Sequence, residues 1–122
     1  MSITSDLIRG HTETIILARL REKDSYGYEI NRSVQQKTNN LYELKEATLY
    51  SAFRRLEESG MINSYWGDEN TGARRRYYSI TQDGRQKYEQ NLHDWRHSKN
   101  LIDLLIQPNS ALENKNQEDN NT

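Results

Sequence analysis

The spacing of apolar residues changes twice along this chain, and that double change restricts the fold more than any other feature. Up to Gly60 they recur at helical intervals, between Gly60 and Thr81 β-formers take over, and from Thr81 to about residue 106 the helical period returns. Ile8, Ile15, Ile16, Leu17 and Leu20 predict a first helix over about residues 7–21, with Ser5 or Asp6 able to cap its start. Lys23-Asp24-Ser25 breaks the pattern. Ser25 is the expected cap of a second helix reaching about residue 37, with Ile30 and Val34 four apart and Glu29 in its first turn. Asn39-Asn40 ends that helix, because asparagine tolerates the left-handed conformation. A loop through Leu41, Tyr42 and Leu44 then leads to a third helix over residues 45–58, closed by Gly60.

Met61, Ile62, Tyr65 and Trp66, followed by Tyr77, Tyr78 and Ile80, flank the turn-rich run Gly67-Asp68-Glu69-Asn70-Thr71-Gly72 and predict a β-hairpin. Thr81-Gln82-Asp83-Gly84 opens a long last helix that Gln107-Pro108 stops. The order helix, helix, helix, strand, strand, helix is that of a winged helix-turn-helix. The expected fold is therefore mainly α with a small β-hairpin: a winged helix-turn-helix domain over residues 1–80 and a C-terminal dimerisation helix over 81–107. A polar tail over 108–122, rich in Asn, Gln and Glu, is expected to be disordered.

Only 33% of the 122 residues are hydrophobic and 29% are charged, a thin apolar supply for a private core, which favours burial against a second copy. The absence of cysteine excludes disulfides, thiolate metal sites and a cysteine nucleophile. No apolar run approaches the roughly 20 residues of a membrane span, and Met1-Ser2-Ile3-Thr4 lacks the character of a signal peptide, so a cytoplasmic protein without membrane partners is expected. No glycine-rich phosphate loop, metalloprotease motif or nucleophile elbow is present, so no catalytic residue or cofactor is assigned and the chain is not expected to be an enzyme.

The net charge of −1 averages over unlike surfaces. Basic residues gather at Arg54-Arg55 and Arg74-Arg75-Arg76, acidic ones elsewhere, including Glu113, Glu118 and Asp119. With Leu49 facing the core, helical geometry brings Ala52, Phe53 and Leu56 to the same side and turns Ala47, Tyr50, Ser51 and Arg54 outward. A helix entering the major groove needs short side chains near its start together with hydroxyl and guanidinium groups. Thr48, Tyr50, Ser51, Arg54 and Arg55 meet that need, and Lys45 is assigned to DNA with them. Taken alone, the helix reads as an ordinary amphipathic one with a solvated face. The hairpin shifts the balance, because a tip at Asn70-Thr71-Gly72-Ala73 precedes three arginines suited to phosphate contact. A basic edge-strand guard is the competing explanation. Strand alternation opposes Arg75 to Arg74 and Arg76, so Arg74 and Arg76 are assigned to DNA and Arg75 to an acidic neighbour or water.

Three segments in order now resemble the PadR family of bacterial transcriptional regulators. They are Leu7-Ile8-Arg9-Gly10 with Thr14-Ile15-Ile16-Leu17 and Tyr26-Gly27-Tyr28-Glu29-Ile30; Ala47-Thr48-Leu49-Tyr50 with Arg54-Arg55-Leu56-Glu57 and Gly60-Met61-Ile62; and Arg76-Tyr77-Tyr78-Ser79-Ile80-Thr81 with Gly84-Arg85. The likeness covers roughly residues 7–106 and corresponds to the short subgroup with one C-terminal helix. It implies a sequence-specific DNA-binding regulator, a repressor, in which Tyr26 and Tyr50 help to anchor DNA and the first and last helices build a homodimer on a palindromic double-stranded operator. Ala47 and Ser51 depart from the glycine and proline frequent in the family, which leaves the operator sequence open. Phe53 stands where relatives often carry leucine, implying altered packing.

Tyr88, Leu92, Trp95, Ile102 and Ile106 recur at steps of three, four or seven, the seam of a helix packed on another helix; Leu101, Leu104 and Leu105 widen it. Ile8, Ile15, Tyr88, Leu92, Trp95, Ile102 and Leu105 are the expected dimerisation residues. The resemblance gives Trp95 a second reading, as a stacking platform for a small planar aromatic effector that releases the repressor; plain interface packing is the alternative. Glu89, His93 and His97 recur four apart, but surface histidines on a helix are common and no metal is assigned. The competing function is a winged-helix protein-interaction module without specific operator binding.

Overall fold

The computed structural model describes residues 3–68 and 74–108. In chain order the elements are α1 (Ile3–Arg9), α2 (Thr12–Leu20), β1 (Ser25–Tyr26), α3 (Gly27–Lys37), α4 (Glu46–Glu58), β2 (Ile62–Trp66), β3 (Arg76–Ile80) and α5 (Gln82–Ile106). The chain divides into two compact units, residues 1–90 and 91–122.

The first unit contains the core. Ile16, Leu17 and Leu20 of α2, Ile30 and Val34 of α3, Leu49, Ala52, Phe53 and Leu56 of α4, and Ile62 and Tyr78 of the sheet are buried together with Leu44. These are the inward positions that helical and strand periodicity assign. Phe53 stacks on Tyr78 with ring centroids 3.9 Å apart, so the larger ring at this α4 position is matched by a ring from the wing. In the second unit Leu101, Ile102, Leu104, Leu105 and Ile106 are exposed. No helix among the described residues is long and apolar enough to cross a membrane.

Three features depart from the sequence reading. The first helix is two helices, interrupted at Gly10-His11, where His11 leaves helical geometry and the Thr12 hydroxyl donates to the Arg9 carbonyl at 2.7 Å. The apolar spacing continues across this break, which is why periodicity hides it. Ser25 is a buried strand residue rather than a helix cap. The cap is Tyr26, whose N–H donates to the Glu29 carboxylate at 3.4 Å. Third, Ser25 and Tyr26 form a short strand that pairs antiparallel with Tyr78 and Tyr77, giving a three-stranded sheet in the order β1-β3-β2. Two residues are too few for alternation to register.

The helix ends follow the sequence more closely. Asn39 and Asn40 adopt φ of 50° and 64°, and Gly60 adopts 79° after α4. The expected disordered tail and the hairpin tip at Asn70-Thr71-Gly72-Ala73 lie outside the described residues, apart from Pro108.

Candidate nucleic-acid interface

α4 is held in place from beneath and from its start. Beneath, Leu49, Ala52, Phe53 and Leu56 are buried. Before its first turn, the Asn31 side chain brackets Leu44, accepting from its N–H at 2.8 Å and donating to its carbonyl at 2.9 Å. That pair fixes the approach to α4 as a backbone turn would. Sequence patterning missed Asn31, because a polar residue on the flank of a helix carries no sign of its distant partner.

The outward side of α4 presents Ala47, Tyr50, Arg54 and Arg55 to solvent, with Thr48 and Ser51 half-buried. Arg54 makes no ion pair or hydrogen bond with other described residues. Arg55 differs: its Nε lies 3.5 Å from Glu13 of α2, and it donates to Ser51 at 2.9 Å. The Tyr50 ring packs edge-on to Phe53, and its hydroxyl comes within 2.8 Å of where a Cβ on Gly27 would stand. Glycine at the start of α3 therefore leaves room for the tyrosine of α4. Lys45 caps α4 and is exposed.

The wing is β2 and β3 in register from Ile62 opposite Ile80 to Trp66 opposite Arg76, continued by a 2.7 Å bond from the Gly67 N–H to the Arg75 carbonyl. All three arginines lie over aromatic rings: Arg74 over Trp66 at 4.6 Å, Arg75 over Tyr26 at 4.9 Å and Arg76 over Tyr78 at 5.8 Å. The acidic pairing expected of Arg75 belongs to Arg76, whose Nη2 donates to Glu57 at 3.1 Å and to Ser64 at 2.8 Å. Tyr26 is half-buried at the head of α3, stacked near Tyr28 and edge-on to Tyr77.

On the outer sheet face Tyr65 stacks on Tyr77, and its hydroxyl donates to Asp24 at 2.7 Å, across 41 residues of sequence. That hydrogen bond, assisted by burial and by the carboxylate charge, pushes the Tyr65 phenol up to about 12. Burial also raises the Tyr78 phenol.

The expected dimerisation residues fall into two groups. Ile8 and Ile15 are half-buried and line a shallow apolar groove of about 210 Å³ with Ala18, Val34 and Tyr42. Tyr88 packs on the core beneath Arg21, whose guanidinium lies 4.4 Å from its ring. In the second unit Trp95, Ile102 and Leu105 are exposed and Leu92 is half-buried. Among the described residues no three His, Asp or Glu side chains gather as a metal site, so the line of Glu89, His93 and His97 forms none.

The sequence profile of the transcriptional regulator PadR-like family matches residues 16–90, from α2 into α5. An uncharacterized protein of Lysinibacillus sphaericus is 44% identical over 105 residues, which cover 86% of this chain and 96% of that protein. The negative transcriptional regulator PadR of Bacillus subtilis is 26% identical over 80 residues, covering 66% of this chain but 42% of its own length. Among solved structures, a transcriptional regulator from Clostridium thermocellum matches with a TM-score of 0.79 and 49% identity, over 87% of this chain and all (100%) of its own. A PadR family transcription regulator from Clostridium difficile matches with a TM-score of 0.68 and 34% identity, over 80% and 99% of the two chains.

Proposed function

This chain belongs to the PadR-like family of transcriptional regulators, and from that premise we propose that it is a repressor which a small planar aromatic effector releases from its operator. Members of the family are DNA-binding transcription regulators and not enzymes. In this reading a homodimer inserts α4 of each protomer into successive major grooves of a palindromic site, with Thr48, Tyr50, Ser51 and Arg54 at the bases and Lys45, Tyr26 and the wing at the phosphates. The observation that carries it is the outward face of α4: small at Ala47, then hydroxyl-bearing, then ending in an Arg54 that pairs with no other side chain among the described residues.

Dimerisation is supported by the apolar run of exposed side chains from Leu101 to Ile106, since apolar surface gathered on one short helical segment marks an interaction site. The indole of Trp95 is 43% exposed, which leaves it accessible to a flat ring. Effector binding would change the spacing of the two α4 helices and lower operator affinity.

The test is binding to the DNA upstream of the protein's own gene, scanned over salt beside a scrambled duplex. Preference for the native sequence with a steep loss of affinity as salt rises is expected. Equal, weak binding to both duplexes would refute the operator role and favour a protein-interaction module.

A further inference from the structure

Where the wing meets α4, three polar side chains close a triangle. The Arg76 guanidinium donates through one nitrogen to Glu57 Oε1 at 3.1 Å and to Ser64 Oγ at 2.8 Å, and the Ser64 hydroxyl donates to Glu57 Oε2. Each group acts as its chemistry requires: the guanidinium only donates, the carboxylate only accepts, and the hydroxyl does both. Sheet register brings the corners together. Ser64 pairs with Tyr78 and Trp66 with Arg76, so Ser64 and Arg76 are diagonal neighbours on the sheet face whose Tyr78 packs on Phe53 of α4.

The triangle links α4 to both strands of the wing. Its ion pair is part-exposed, the side chains of Arg76 and Glu57 retaining 49% and 34% of their accessible surface, and an isolated pair of that kind contributes little to stability. What it supplies is geometric. The bonds leave α4 at one residue and reach β2 and β3 at one residue each, which restricts rotation of the wing about the end of the helix. Ser64 is also followed by Tyr65, which faces the other side of β2 and reaches Asp24, so the strand is held on both faces.

We propose that Glu57, Ser64 and Arg76 form a clamp that sets the wing at a fixed angle to the recognition helix, making them positioning residues for operator binding and withdrawing Arg76 from the phosphate contacts. The proposal rests on the DNA-binding reading above. A wing already oriented loses less freedom when it meets the duplex, and that saving appears as affinity. The clamp and a direct contact predict opposite signs for one substitution. Removing the Glu57 carboxylate takes a negative charge away from DNA and frees Arg76, which strengthens binding if Arg76 touches phosphate. It weakens binding if the carboxylate holds the wing.

The experiment compares the wild type, Glu57→Ala, Arg76→Ala and the double variant in salt-scanned binding to the operator duplex, with amide hydrogen exchange of β2 and β3 measured on the DNA-free proteins. Both side chains are part-exposed, so the variants retain the core. Expected are a similar loss in both single variants, about tenfold, a double variant no weaker than either, an unchanged salt slope, and faster exchange in the wing. Tighter binding by Glu57→Ala, additive losses, or a salt slope reduced by about 0.9 in Arg76→Ala, the mark of one lost phosphate contact, would overturn the proposal. So would unchanged wing exchange. A wild-type protein without salt-dependent binding would instead refute the DNA-binding reading, while the exchange data would still decide whether the triangle holds the wing.

Discussion

Replacing Gly84 by alanine adds one methyl group where the start of α5 crosses close over the Met61 backbone. A Cβ built there lies 2.1 Å from the Met61 carbonyl oxygen and 2.8 Å from Ile80 Cγ1, whereas an ordinary carbon–oxygen approach is about 3.3 Å. The start of α5 and the Met61 backbone must therefore separate by about 1 Å. That same carbonyl accepts from the Thr81 N–H and hydroxyl, each at 3.0 Å, and the Thr81 hydroxyl caps α5 by accepting from the Gly84 N–H, also at 3.0 Å. Overpacking of this kind costs about 1–3 kcal/mol, and weakening one of these bonds adds about 1 kcal/mol. Alanine returns at most about 1 kcal/mol of helix propensity. The net expectation is about 2 kcal/mol of destabilisation, a fall of roughly 8–16 °C in Tm for a domain near 100 residues. Thermal unfolding followed by circular dichroism, at one fixed protein concentration because a dimer is expected, measures it. A Gly84→Ala variant that melts with or above the wild type would refute the close approach of α5 to Met61.

Arg54→Ala is expected to weaken operator binding by about 1–3 kcal/mol with an unchanged Tm; native affinity in a native-like variant would remove Arg54 from the contacts. Trp95→Ala is expected to lose the response to planar aromatic compounds, read as repression that persists in their presence in a reporter assay, and a full response in a variant that keeps its dimer would exclude Trp95 as the platform. For Tyr65, whose phenol rises from 10.0 to about 12, the native state keeps its proton after the unfolded chain has lost its own. Its stabilising contribution is complete below pH 10 and is lost as pH rises towards 12. Ultraviolet titration of tyrosinate should show one late-titrating phenol fewer in Tyr65→Phe than in the wild type, and identical curves above pH 10 would contradict the bond to Asp24.

The sequence disclosed what depends on periodicity and single-residue conformation. The inward face of α4, the left-handed Asn39-Asn40, the helix stop at Gly60 and the hairpin are all local properties, visible wherever side-chain spacing or a tolerated φ decides the structure. It concealed what depends on distant partners. The split between α1 and α2 is a local exception, a break that apolar spacing spans and that the Thr12 hydroxyl bonds across to Arg9, whereas β1 exists because two residues pair with Tyr78 and Tyr77 of β3, far along the chain. The Asn31 bracket on Leu44 spans 13 residues, and the link between Glu57 and Arg76 spans 19. The sequence placed the arginines of the wing together but could not tell which one meets a carboxylate; alternation assigned Arg76 to DNA, whereas its guanidinium lies 3.1 Å from Glu57.

In the proposed complex α4 enters the major groove as one half of a symmetric dimer. Dimethyl sulfate protection of guanine N7 on the operator, at saturating protein, tests it directly because N7 lies in that groove. Two protected patches about 34–36 Å apart, one helical turn, are expected, and they weaken in Arg54→Ala. A saturated complex with N7 reactive throughout would contradict it, since α4 would then lie outside the major groove.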